Sequence, residues 1–297
     1  MNKDLHSKTI VITGSSSGFG ALTAKALAAR GHDVIATMRD AKTRNQETKQ
    51  ELESFAQHGG YKLEVIELDV TSDDSVMSAI DLIASTHGRI DVLINNAGVM
   101  NVGVTEAYSM DELQAQFEVN TFGPARMFRA VLPTMRAQGS GLIVSITSLA
   151  GRVVFPFFGA YGASKFALEA LAEAYRYELI GLGIDSVIVE PGAFGTSLLP
   201  RSPAPRDQKT VEAYGAVGKI PDAMKAGFQQ MYDSPEPPRA EDVAEAIVQL
   251  IEQTGRRPLR TVVMPKGMDF GVDRLNQAAG IIQNELLRSM QFESMAE

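Results

Sequence analysis

Seven short apolar runs, rich in β-branched residues, alternate along this chain with stretches of helical spacing. The runs are Lys8–Thr13, Asp33–Thr37, Lys62–Leu68, Asp91–Asn95, Gly141–Ile146, Asp185–Glu190 and Leu259–Met264. Runs apolar at nearly every position suit strands buried on both faces, and strands separated by helices must run parallel. The order predicts a single α/β domain over residues 1–297, a doubly wound, Rossmann-type parallel sheet of about seven strands. Helices are expected at Ala21–Arg30, 44–57, one opened by Thr71–Val76 with its cap and acidic first-turn residues, and at Met110–Met135, Tyr161–Ile180 and Ala240–Gln253. Residues 197–238 break the alternation. They are rich in proline and carry short helical pieces, which suggests a lid-like insertion before the last helix and strand. The tail, 271–297, holds one apolar helical stripe of Leu275, Ala279, Ile282 and Leu286.

In such sheets ligands bind beyond the carboxyl ends of the strands, so unusual residues there carry the most information. The first strand ends in Thr13-Gly14-Ser15-Ser16-Ser17-Gly18-Phe19-Gly20. Gly14 allows a tight turn, and Gly18 and Gly20 leave room for a pyrophosphate or for helix–strand packing. The next helix would turn its free N–H groups and positive dipole end towards phosphate. The chain carries a net charge of −8, so a local anion site has to do what the overall field does not. The same charge argues against nucleic acid and anionic lipid as partners.

There is no cysteine, which excludes disulfides, thiol catalysis and cysteine zinc sites. The four histidines, His6, His32, His58 and His87, stand singly and read as surface or loop residues, so no metal is expected. The N-terminus has no apolar stretch of signal-peptide length, and no run is long enough to span a bilayer. A cytoplasmic protein acting on a small molecule is the expectation.

The spacing Thr-Gly-x-x-x-Gly-x-Gly resembles the short-chain dehydrogenase/reductase family. Asn95-Asn96-Ala97-Gly98 after the fourth strand, Ser148 after the fifth, Tyr161-x-x-x-Lys165 and Pro191-Gly192 with Thr196 after the sixth match it in the same order. The resemblance implies a nicotinamide-dependent oxidoreductase acting on CH–OH groups, with Asn120, Ser148, Tyr161 and Lys165 as the catalytic set. Tyr161 and Lys165 share a helix face. A free tyrosine, with a pKa of about 10, is too weak an acid to serve as a base at neutral pH. A nearby ammonium is expected to lower that value, so that Tyr161 exchanges a proton with a carbonyl or hydroxyl. Ser148 can donate to the same oxygen. The resemblance gives Lys165 a grip on the nicotinamide ribose and Asn120 a water that relays protons.

Cofactor contacts are expected from Gly14, Ser16, Ser17, Gly18, Phe19, Gly20, Arg39, Asp69, Val70, Asn96, Ala97, Gly98, Tyr161, Lys165, Pro191, Gly192, Phe194 and Thr196. Met38 occupies the place that is usually acidic in NAD users, and Arg39 follows it. An arginine there can pair with a 2′-phosphate, so NADP(H) is expected over NAD(H). Asp69 could equally cap the turn into the next helix. Val153, Val154, Phe155, Phe157, Phe158, Met100 and Val102 surround the site in sequence and suggest a hydrophobic substrate, or a face packed on the lid or another subunit. The Ala36-Thr-Met-Arg-Asp40 run resembles the retinol and hydroxysteroid dehydrogenase branch. Family resemblance also implies a homodimer or homotetramer through helices 111–138 and 161–180. A catalytically silent NADP(H)-binding regulator stays open as an alternative. A sugar-nucleotide epimerase lacks its glycine spacing here.

Overall fold

The computed structural model describes residues 7–295. Its seven strands are β1 (Thr9–Ile12), β2 (Asp33–Met38), β3 (Leu63–Glu67), β4 (Val92–Asn95), β5 (Gly141–Ile146), β6 (Ile184–Pro191) and β7 (Arg260–Val263). All neighbours pair in parallel, in the order β3-β2-β1-β4-β5-β6-β7. This is the Rossmann-type doubly wound sheet that the alternation implies. Its strand order reverses between β1 and β4, where the two inner turns part and leave a crevice.

Side chains alternate across the strands, as a pleat requires. Ile10 and Ile12 of β1 pack with Val34 and Ala36 of β2 on one face, under α1 (Gly18–Ala29), α2 (Gln46–Gly59) and α9 (Ala240–Glu252). Val11, Ile35, Leu93 and Ile143 face the other way. They are covered by α3 (Asp73–His87), α5 (Gly123–Gln138) and α6 (Gly159–Leu179). Each of these Ile, Val and Leu side chains, fully buried, contributes roughly 1.5–3 kcal/mol by leaving water.

One expected helix is divided. Residues 110–135 form α4 (Met110–Phe117), a π turn over Glu118–Phe122, and then α5. Pro124 has no N–H to offer the Asn120 carbonyl four residues back, so the α ladder cannot run through this point. The N–H of Gly123 reaches the Glu118 carbonyl instead, one residue further than in an α-helix. The Cβ of any larger residue at 123 would stand 2.9 Å from Val70 Cγ2, which keeps α5 close to the turn after β3.

The segment 197–238 carries α7 (Gln208–Ala213) and α8 (Ile220–Tyr232). It lies over the turn after β4. The Ser202 hydroxyl accepts from Val102 N–H, Tyr108 donates to the Pro203 carbonyl, and Tyr214 donates to Glu106. The tail forms α10 (Val272–Ser289), whose Leu275, Ile282 and Leu286 are exposed rather than packed. Among the described residues no helix is long and apolar enough to cross a membrane.

The histidines differ from expectation. His32 is buried, because it opens the turn into β2, and its Nδ1 accepts from the Lys8 N–H. His87, at the end of α3, bridges Asp33 and Glu64. His58 is exposed as expected, and His6 lies outside the described residues.

Candidate active site

The turns after β1 and β4 are stitched together. Thr13 Oγ1 accepts from the N–H groups of Asn96 and Ala97, each at 3.0 Å. Asn96 Nδ2 donates back to the carbonyls of Thr13 and Gly14, at 2.8 and 3.0 Å. Gly14 and Gly18 both have positive φ, +69° and +55°, which a side chain would strain. A Cβ on Gly14 would stand 2.6 Å from Ala97 Cα, and one on Gly20 2.4 Å from Asn96 Nδ2. Gly14 and Gly20 therefore let the two turns approach, and Gly18 forms the floor opposite Thr196. Thr13 itself was not among the expected site residues. Its signal was there, a hydroxyl at the strand end beside the glycine loop.

A cavity of about 930 Å³ opens along this crevice. All the expected site residues line it except Gly20, which lies behind Asn96, and Asn120. Asp69 holds the turn after β3 and also faces the cavity. Its Oδ1 accepts from Thr71 N–H and Thr71 Oγ1 at 2.9 and 2.8 Å. Ser17 shares a 2.8 Å hydrogen bond with Ser197 of the insertion, tying the glycine loop to the lid-like segment. Beside Arg39, Arg44 also lines the cavity; neither has an ion-pair partner among the described residues. Arg44 was missed because it falls where the polar helix was expected to begin.

Asn120 is fully buried and clamps the backbone of Val99. Its Oδ1 accepts from Val99 N–H, and its Nδ2 donates to the Val99 carbonyl and to Ser164 Oγ, all within 2.9–3.0 Å. Its side-chain donors are thus both spent on protein. The same Oδ1 and Lys165 Nζ flank Gly98, at 3.5 and 3.8 Å from where a Cβ would be.

Tyr161 lies on the first turns of α6 with its ring packed edge-on against Phe158. Ser148 follows β5, and its Oγ accepts from Ala150 N–H at 3.1 Å, which leaves its proton free to donate. Lys165 Nζ donates to the Ile146 carbonyl at 2.9 Å and stands 5.8 Å from the Tyr161 ring centre. The electrostatics depart from expectation. Burial pushes the Tyr161 phenol up to about 12, and the hydrogen bond from Ser148 only partly opposes it. Burial also lowers Lys165, to about 8, against the attraction of Glu169. Desolvation acts against both charged forms more strongly than the neighbouring charges favour them.

The aromatic surroundings divide. Met100, Phe155 and Phe158 line the cavity together with Leu199, Phe228 and Tyr232 from the insertion. Val102 is buried beside them, whereas Val154 is exposed and Phe157 is held at φ 68° on a turn that does not line the cavity.

A parallel sheet with a glycine-rich turn at its switch point, and a serine, tyrosine and lysine across the crevice, defines a dinucleotide-type α/β protein. The chain belongs to the short chain dehydrogenase family, whose model matches residues 8–207. It is 40% identical over 187 residues to the 3-ketodihydrosphingosine reductase of Bacteroides thetaiotaomicron, covering 63% of this chain and 64% of that one. The matched stretch thus spans just under two thirds of that relative's length. It is 36% identical over 265 residues to human retinol dehydrogenase 8, covering 85% of this chain and 80% of that one. A solved short-chain dehydrogenase from Streptomyces avermitilis superposes with a TM-score of 0.73 at 32% identity, over 98% of this chain and 100% of that one.

Proposed function

We propose that this protein is an NADP(H)-preferring carbonyl reductase, in which Tyr161 is the general acid and the substrate is hydrophobic. The observation that carries the reading is the buried Tyr161 beside Ser148, whose Oγ accepts from Ala150 N–H and so can donate, on the wall of an apolar cavity. A phenol is a proton donor near neutral pH, the role that reduction of a carbonyl asks of Tyr161, and its phenolate is the matching acceptor in the reverse direction.

The glycine turn and the cavity at the strand switch fit a dinucleotide. Gly14, Ser16, Gly18, Phe19 and Thr196 would hold its phosphates, and Asp69 and Val70 its adenine end. Asn96, Gly98, Pro191, Gly192 and Phe194 would face its nicotinamide end. Arg39 and Arg44, neither with an ion-pair partner among the described residues, would pair with a 2′-phosphate. When bound, the cofactor supplies or accepts the hydride. Ser148 donates to the substrate oxygen and stabilises charge developing there. Tyr161 delivers the proton to that oxygen, and the ammonium of Lys165 stabilises the phenolate left behind. Asn120 grips the backbone of Val99 beside Gly98, which Lys165 Nζ also approaches.

The apolar wall of Met100, Phe155, Phe158, Leu199 and Phe228 supports an aliphatic or aromatic ketone. The retinoid and sphingoid relatives named above agree with such a substrate. Exposed Phe122 and Phe166, on the two helical stretches named for assembly, support a homodimer or homotetramer.

A panel of aromatic and aliphatic ketones with NADPH tests the reading. Tyr161→Phe should lower kcat by about 10²-fold or more and keep NADPH binding. Arg39→Asp should shift preference towards NADH. Tight NADPH binding without oxidation by any ketone would instead favour the silent regulator, and faster wild-type turnover with NADH at equal low concentration would refute the NADP(H) preference.

A further inference from the structure

Behind the reacting side chains, away from the cavity mouth, lies a cluster of buried charges. Glu169 is one helical turn beyond Lys165 on α6. Its Oε1 accepts from the Thr147 hydroxyl at 2.5 Å and its Oε2 from Arg260 Nε at 2.9 Å. Arg260, in β7, also donates to Glu173 and stands 3.3 Å from Glu190 Oε1 at the end of β6. Glu190 accepts from Asn276 of α10 at 2.7 Å, and Asn276 accepts from Arg152 Nε at 2.7 Å. Thr147 and Arg152 bracket the turn that carries Ser148, so the cluster holds that turn at both ends. The turn also rests on Glu169 directly, since a Cβ on Gly151 would stand 3.1 Å from Glu169 Cγ.

Such a cluster is a poor device for stability alone. Buried ion pairs often do no better than apolar side chains of the same volume. Burial raises the carboxyl pKa of Glu169, and that of Glu190 to about 7, so the fold keeps these acids against a desolvation penalty. What apolar groups could not supply is a negative charge one turn from Lys165 and an acceptor for Thr147.

We propose that Glu169 is a positioning residue for the reaction, anchored by Arg260: it fixes the Ser148 turn through Thr147 and holds Lys165 as a cation through its charge. The inference rests on the assignment of Ser148, Tyr161 and Lys165 as the reacting groups. The groups facing Glu169 are Lys165 and Glu173 on α6, Thr147 and Arg152 around the turn, Glu190 on β6 and Arg260 on β7. Asn276 extends the cluster to α10, which makes the last helix part of the support of the active site.

The test is Glu169→Gln in the full chain, with Glu169→Asp and Tyr161→Phe in parallel. Glu169→Gln should speed amide hydrogen exchange in residues 147–152 at least tenfold. It should lower kcat about tenfold while KM for the ketone moves less than threefold. Without the attraction of Glu169, Lys165 loses its proton at lower pH, so the alkaline limb of the kcat/KM profile should move down. Glu169→Asp keeps the charge but is too short for Thr147, so kcat should fall while the limb stays in place. If Glu169→Gln does not fold, Thr147→Val removes only the hydrogen bond and should reproduce the faster exchange, with Thr147→Ser restoring the wild-type rate. Unchanged exchange in 147–152, or an unmoved alkaline limb in folded Glu169→Gln, overturns the proposal. A wild type inert with every ketone refutes the proposed function instead; the exchange rates then decide the positioning role without any turnover.

Discussion

Replacing Lys165 with methionine should make the protein more stable while destroying its activity. Burial lowers the Lys165 pKa from 10.5 to about 8, with Glu169 partly opposing. Each tenfold change in proton affinity is worth about 1.36 kcal/mol, so keeping the ammonium charged in the fold costs about 3 kcal/mol relative to the unfolded chain. Methionine has similar volume and no charge to desolvate. It loses the 2.9 Å hydrogen bond to the Ile146 carbonyl, worth about 1 kcal/mol. The net gain at pH 7 is therefore about 2 kcal/mol, or roughly 4 °C in Tm for a chain of this size. The gain has a pH window. Between pH 8 and 10.5 the unfolded wild type binds more of the proton than the folded one, so wild-type stability rises with pH. The advantage of Lys165→Met should thus be full below pH 8 and gone above 10.5. Urea unfolding followed by far-ultraviolet circular dichroism at pH 7 and pH 10 measures it. A variant less stable than wild type at pH 7, or a difference equal at both pH values, refutes the reasoning that Lys165 is a charge held against its solvation.

Two further perturbations probe the frame around the site. Gly20→Ala puts a Cβ 2.4 Å from Asn96 Nδ2 and 2.6 Å from the Gly14 carbonyl, so the stitched turns must part. A loss of about 1–3 kcal/mol and a smaller thermal shift on adding NADPH are expected, and an unchanged shift would show that the turn geometry is not what binds. Burial lowers the pKa of His87, but hydrogen bonds to Glu64 and Asp33 outweigh it and the net shift is upward. Its contribution to stability is present below the unfolded value of 6.5 and is lost as pH rises through the higher folded value. Stability of His87→Gln should be flatter than wild type between pH 6 and 8 in denaturant titrations; parallel curves would exclude the ion pairs as its source.

The sheet was legible because its evidence is local. A β-branched apolar run identifies a buried strand, and the helix that follows forces parallel order. Gly14, Ser148, Tyr161 and Lys165 were equally visible, since each stands at a strand end or in a spaced motif. The break in residues 110–135 was half visible. Pro124 announces that the α ladder fails, but the choice of a π turn depends on Gly123 lying against Val70, 53 positions back in the chain.

Glu169 and Glu190 could not be read in the same way. An acid in the middle of an amphipathic helix looks like a solvated side chain, and an acid at a strand end looks like a turn residue. Their burial follows from where β7 and α10 return to the sheet, through Arg260 and Asn276, which are 91 and 86 positions from the acids they bond. Ser148 sits in a turn at a strand end, and Tyr161 and Lys165 on one face of α6, so the local sequence reveals these candidate groups. Groups that hold that turn need only reach it, from any element that passes. The candidate reacting groups are therefore legible in spaced motifs, whereas the charges packed behind them acquire meaning once the last strand and helix are in place.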